Sequence, residues 1–230
     1  MSTVEALALT HMSAGCKSCG GRCCRNVYVA VTVFDAWRIA THLRLPWTQF
    51  VAPMNPGPRG PMGLALQKNS SDETACTFLG DPAAGSLCSI YPERPQICRV
   101  YPFTSVREVV EVPSNVRCTR SDWDLSLIDA AQIRREVALY RAEEDGQHRL
   151  IDVWDACDLT DRTFERFCDY AAAALDRFFK DRDIDADVRP LAHWAEPGLP
   201  QDVVDAQAAW LADLENSCRA ALERSALWRG

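Results

Sequence analysis

The alternation of apolar and polar positions changes period along this 230-residue chain, from short β-prone runs in the first half to helical spacing in the second. Residues 27–31 form a short β-prone run. Thr32-x-x-Asp35 then reads as a capping-box start, with Asp in place of the usual Glu. Trp37, Ile39, Ala40 and Leu43 follow at helical spacing, and a short second helix is predicted over 47–51. Residues 53–63 hold four Pro and three Gly and predict a loop. Residues 64–68 and 106–112 read as strands, with turn-rich sequence between them. Beyond residue 125 the chain is rich in Ala, Leu, Glu, Asp and Arg, with helices predicted over 125–145, 161–180 and 201–227. Thr160 or Asp161 is placed to cap the second of these and Pro200 to start the third. The fold expected is α+β: a small domain of short strands and loops over 14–120, then a mainly helical region over 121–230 packed on it.

The cysteines decide the chemistry. Eight of the eleven lie within the first 118 residues: Cys16, Cys19, Cys23, Cys24, Cys76, Cys88, Cys98 and Cys118. A chain this long can bury an adequate core without covalent staples. Its start lacks a basic segment and a long apolar run, and no stretch reaches the roughly 18 apolar residues of a membrane span. Both features point to a reducing cytoplasm, where clustered thiols read as metal ligands or redox groups. Cys16-x2-Cys19 has knuckle spacing, and Gly20-Gly21 allows a sharp change of direction. Adjacent side chains normally diverge, so Cys23-Cys24 is expected to serve two metals or to supply one ligand. The eight thiols make two four-sulfur sites, or one site and a redox or structural pair.

Around Cys98, the run Tyr91-Pro-Glu-Arg94-Pro95-Gln-Ile-Cys98-Arg99-Val-Tyr101-Pro fixes the backbone with three prolines and so orders a ligand in advance. Cys76, Cys88 and Cys98 are expected on loops held by a small sheet. Arg94 and Arg99 are placed to donate to ligand sulfurs, and Tyr91 and Tyr101 to exclude water. Thiolate ligation suits Zn²⁺ and iron alike, including a 4Fe–4S cluster.

Charge sharpens this picture. Residues 1–118 carry 11 Lys+Arg against 8 Asp+Glu, a net of +3; of the chain's 25 and 32, that leaves 14 against 24, or −10, for 119–230. Arg22, Arg25, Arg99 and Arg117 adjoin cysteines and would offset thiolate charge. An acidic C-terminal half argues against nucleic acid as a partner; it offers instead a surface for a protein partner.

At these motifs the chain resembles the YkgJ-type cysteine-cluster family of zinc- or iron-chelating domains. The first hallmark runs from Cys16 to Cys24, then through 27–31 to Thr32 and Asp35. The second is similar to Cys76-Thr-Phe-Leu, Cys88-Ser-Ile-Tyr and Arg94-Pro95-x-x-Cys98-Arg99-x-Tyr101-Pro-Phe103. The likeness covers about 14–120, with one departure: three residues, not two, separate Cys19 from Cys23. It implies a bound zinc or iron centre. The family includes a flagellin lysine N-methylase whose related domain is linked to an iron–sulfur cluster, which implies a cluster-dependent methyltransferase as one alternative.

Other features carry less chemistry. Cys157, Cys168 and Cys218 read as small buried hydrophobes. His11, His42, His148 and His193 are scattered, and Trp154, Trp194, Trp210 and Trp228 read as packing residues. No dinucleotide fingerprint, Walker loop or nucleophile elbow is present. The preferred reading is a cytoplasmic metal-binding protein whose thiolate sites are structural or electron-carrying. The alternatives are the cluster-dependent enzyme and a metal-handling or partner-docking module.

Overall fold

In the computed structural model, Thr32 starts the first helix as the sequence predicts. The structure describes residues 21–26, 28–57, 60–80, 88–101, 104–106, 109–111, 130–157, 162–180, 182, 191 and 198–224. The architecture is α+β, with short antiparallel strands preceding a mainly helical C-terminal half. Helix α1 (Val33–Leu43) follows strand β1 (Ala30–Val31). Thr32 Oγ1 accepts from the Asp35 backbone N–H at 3.0 Å, and the Asp35 carboxylate accepts from the Thr32 N–H at 3.1 Å. Two otherwise orphaned donors are thereby satisfied. The helix ends at Arg44, which adopts a left-handed conformation. Its inner face buries Val33, Phe34, Ala36 and Ile39.

The expected loop over 53–63 is instead most of a β-hairpin. Strands β2 (Val51–Gly57) and β3 (Gly60–Leu66) pair antiparallel from Val51↔Leu66 to Gly57↔Gly60. Pro53 and Pro56 are tolerated because β2 lies at the edge of the β1-β3-β2 sheet. Pro56 also pairs with Pro61. Alternate pairs of an antiparallel ladder exchange no N–H···O bonds, so two residues without an N–H fit such a position.

The strand expected over 64–68 divides between β3 and β4 (Lys68–Asn69), and β4 pairs with β5 (Asp72–Cys76). The strand expected over 106–112 is two strands, β6 (Thr104–Val106) and β7 (Val109–Glu111), paired as a hairpin. The short helix near 47 is a single 3-10 turn, Trp47–Gln49.

Three long helices follow the five-residue α2 (Gln96–Val100). These are α3 (Ala130–Asp155), α4 (Phe164–Phe179) and α5 (Gln201–Arg224). Helix α3 continues past its predicted end at 145, through Gly146. Helix α4 is capped by Thr163, whose Oγ1 accepts from the Arg166 N–H at 3.3 Å; Thr160 and Asp161 lie outside the described residues. At the start of α5 the Pro200 carbonyl accepts from Val203 and Val204.

Helix α4 buries Phe167, Cys168, Tyr170, Ala171, Ala174, Leu175 and Phe178, the three-and-four spacing of an apolar stripe. One buried cluster runs from the strands through α1 to the long helices, joining Val31, Phe34 and Leu64 to Leu150, Trp154, Phe178 and Trp210. Each large apolar side chain so buried contributes about 1.5–3 kcal/mol. Phe34 stacks on Trp210 at 5.6 Å between ring centres, and Trp154 on Tyr170 at 5.1 Å. Among the described residues no helix is long and apolar enough to cross a membrane.

Candidate metal centre

Four described cysteines reach one region from separate segments. Cys23 and Cys24 sit in a 3-10 turn, Arg22–Cys24. Gly21 precedes it at φ 72°, a left-handed conformation that glycine adopts without a Cβ penalty. The chain then runs beside β5: Arg25 bridges Ala75, and the Asn26 N–H donates to the Thr74 carbonyl at 2.6 Å. An ion pair from Arg25 to Asp72 at 2.5 Å fastens the same edge. Cys76, buried, closes β5 opposite Lys68. Cys88 bridges Leu79, and the Ser89 N–H donates to the Phe78 carbonyl at 3.0 Å. Cys98 rides on α2, whose N-cap is Pro95. Two of the three expected loop positions are therefore regular structure: Cys76 ends a strand and Cys98 lies in a helix. Pro95, extended at ψ 149°, stops the preceding turn and starts the helix, so proline orders Cys98 by opening a helix rather than by stiffening a loop.

The thiols act on one another. Cys98 is pushed well above the ordinary thiol range, chiefly by burial and then by Cys76, Cys23 and Cys88. Burial also raises Cys76, with Cys88 and Cys23 adding to it, and raises Cys88, with Cys23 adding to it. Cys23 is raised first by its hydrogen bond with Cys24 and then by burial. All six pairings among Cys23, Cys76, Cys88 and Cys98 therefore carry an electrostatic interaction, which puts the four thiols within electrostatic reach of one another.

They are gathered rather than closed. Among the described residues no three His, Cys, Asp or Glu side chains are set to hold an ion directly. Electrostatic reach exceeds a metal–sulfur bond, so the two observations agree. The Cys23 and Cys24 sulfurs do not diverge as adjacent side chains on an extended chain would; the 3-10 turn brings them to 3.8 Å. With metal–sulfur bonds of about 2.3 Å, two sulfurs on one tetrahedral ion stand about 3.8 Å apart, so a shared ion fits that pair. Cys16, Cys19 and Cys118 lie outside the described residues.

Cations face the thiols selectively. Arg94 is buried, its guanidinium 3.9 Å over the Tyr91 ring, and its charge lowers both Cys23 and Cys88. Lys68 lowers Cys76. Four thiolates round a doubly charged centre keep two negative charges, which these two cations match in number. Arg99 donates to the Arg94 carbonyl at 3.1 Å and to the Pro92 carbonyl at 2.5 Å, which braces the turn leading into α2. Arg25, adjoining Cys24, is paired with Asp72. Tyr101, half-buried, follows α2, its N–H donating to the Ile97 carbonyl at 3.0 Å. The donor set is all sulfur, at least half-buried and flanked by positive charge, and it fits zinc or iron.

Two residues beside this site were not singled out from the sequence. Lys68 carries no motif. Asp35 reads in the sequence only as a helix start, yet its Oδ1 also accepts from the Gln96 N–H at 2.8 Å, where α2 begins.

The other cysteines stand apart. Cys168 and Cys218 are in the helical core, and burial pushes them up to about 12 and about 11. Cys157 is half-buried rather than buried, with its Sγ 3.3 Å from the Val153 carbonyl. His42 and His148 are exposed on helices. Trp154 and Trp210 are buried packing residues, as expected.

Residues 15–119 match the family model CxxCxxCC, described as "Putative zinc- or iron-chelating domain". Neither a curated protein nor a solved structure matches the chain.

Proposed function

We propose that this chain, whose residues 15–119 belong to the CxxCxxCC zinc- or iron-chelating family, holds one metal centre on Cys23, Cys76, Cys88 and Cys98. Its role on this reading is structural or electron-carrying, in a reducing compartment. The observation that supports it is the mutual electrostatic action of four thiols, Cys76 buried and the others half-buried, carried by a turn, a strand end, a β-bridge and a helix. Thiols with raised pKa values stay protonated on their own; a metal ion is the partner that makes their ionisation favourable. Arg94 and Lys68 then offset the remaining negative charge. Cys24, beside Cys23, and Cys16, Cys19 and Cys118 form the remaining ligand pool. A zinc ion would supply folding free energy, and an iron–sulfur centre would supply one-electron transfer.

The test is anaerobic purification with a visible spectrum and elemental analysis on one sample. Stoichiometric zinc with no colour supports the structural form. Iron with acid-labile sulfide and broad visible absorption supports the electron-carrying form. Less than about half an equivalent of either metal, in a chain that stays folded with chelator, would overturn the reading.

A further inference from the structure

Asp35 is fully buried, and its carboxylate accepts three hydrogen bonds. Oδ2 accepts from the Thr32 N–H at 3.1 Å. Oδ1 accepts from Arg38 Nη2 at 2.5 Å and from the Gln96 N–H at 2.8 Å. Gln96 is the first residue of α2, and Cys98 lies two residues further on. Helix α2 spans only five residues, too short to hold its orientation by its own hydrogen bonds. Its side chain at Gln96 donates to the Glu136 carbonyl on α3 at 3.2 Å, a second tether. Arg38 in turn binds Glu143 of α3 at 2.6 Å, and Glu143 accepts from Thr32 Oγ1 at 2.9 Å. The carboxylate therefore stands where α1, α2 and α3 meet, bonded to the one backbone donor that sets the start of α2.

Resting on the four-thiolate reading above, we infer that Asp35 is a positioning residue for Cys98: its bond to the Gln96 N–H fixes α2 so that the Cys98 sulfur faces the other three. A capping box alone needs only the two Thr32–Asp35 bonds; the third bond, across 61 residues of sequence, is what the helix start does not require. The electrostatic action of Asp35 on Cys98 agrees with this proximity.

The test titrates the full-length metal-free chain with Co²⁺, whose thiolate bands report the symmetry and number of sulfur ligands. Asp35→Ala leaves the buried Gln96 N–H without its acceptor, and should weaken Co²⁺ binding about tenfold or more and alter the bands. Adding Gln96→Pro to that variant removes the stranded donor. Proline suits the first position of a helix, and Pro95 already has the extended conformation required before it. The double variant has no stranded donor but still lacks the Asp35–Gln96 bond and the Gln96–Glu136 tether, so its bands should remain altered and its affinity below the parent's. Glu143→Gln disturbs the same network without touching Gln96, and should leave the bands unchanged. Equal binding and bands in the parent and Asp35→Ala would overturn the positioning role, as would Glu143→Gln altering the bands as much as Asp35→Ala. Should Asp35→Ala alone not fold, the double variant decides: altered bands support the role and parent-like bands overturn it. No Co²⁺ uptake by the parent chain would overturn the four-thiolate reading itself.

Discussion

A Cβ placed on Gly146 would lie 2.9 Å from two carbons of the Phe34 ring and 3.1 Å from Trp210. Glycine inside a helix normally costs about 1 kcal/mol relative to alanine. Here that cost permits α3 to approach α1 and α5, since Phe34 and Trp210 are both buried and stacked. Gly146→Ala should therefore destabilise the chain by about 1–3 kcal/mol, against the usual trend, as overpacking does. Thermal unfolding checks it: a chain of this size should lose about 2–4 °C per kcal/mol. A raised midpoint would show that the rings give way.

The same glycine shows what the sequence could convey. Local signals were legible where one residue does one local job, as at Thr32 and Asp35, whose capping box forms as predicted. The apolar stripes of α4 and α5 were legible for the same reason. The helix expected over 125–145 stops short of Gly146, whose place inside α3 depends on two other elements. The prolines of 53–63 argued for a loop because the tolerance of Pro53 and Pro56 depends on β2 being an edge strand, a tertiary fact. At the site, the family-like spacing pointed to the ligand pool, but not to which thiols gather. Arg94 could be named from its neighbours in sequence, whereas Lys68 and the second task of Asp35 arise only when distant segments meet.

Removing a thiol from the gathered four should behave unlike removing one from the core. Cys98→Ser or Cys23→Ser should lower bound metal and weaken affinity by more than the 10–100-fold that outer-shell changes typically cost. Stability should fall with it, because metal-binding free energy is also folding free energy. Cys157→Ser, whose sulfur faces the Val153 carbonyl on α3, should leave the metal content unchanged. Elemental analysis of the three purified variants, with unfolding midpoints, checks this. Unchanged metal in Cys98→Ser would remove that residue from the ligand set.

Burial raises Glu143 above its ordinary value of 4.5, Asp35 adds to the rise, and the Arg38 ion pair opposes it. The folded chain then holds this proton more tightly than the unfolded chain does. Folding takes up a proton in that window, so stability should fall as pH rises from about 4.5 towards the raised folded value. The loss is at most about 1.4 kcal/mol per pH unit. Glu143→Gln keeps an acceptor for Thr32 Oγ1 and removes the titration. Urea unfolding of both chains at matched metal content, from pH 4.5 upward, should show the parent losing stability relative to the variant. Parallel curves would mean that Arg38 cancels the effect of burial.

Arg94 and Arg25 both stand near the thiols, but only one is placed to govern them. Arg25 is more than a third exposed and spends its charge on Asp72, so Arg25→Gln should cost at most about 1 kcal/mol of stability, less at high salt. Arg94 is buried over Tyr91, and its charge lowers Cys23 and Cys88 together. Arg94→Gln removes a positive charge from a site that must hold several thiolates, so metal affinity should fall about 10–100-fold. Screening reaches a buried charge poorly, so the loss should persist when ionic strength rises from about 0.1 M to about 1 M. Arg94→Lys should recover only part of it, because a flexible ammonium keeps the charge without the planar stacking on Tyr91. Chelator competition at the two salt concentrations separates these outcomes. If Arg25→Gln weakened metal binding as much as Arg94→Gln, general positive charge, rather than this placed guanidinium, would be what the thiolates need.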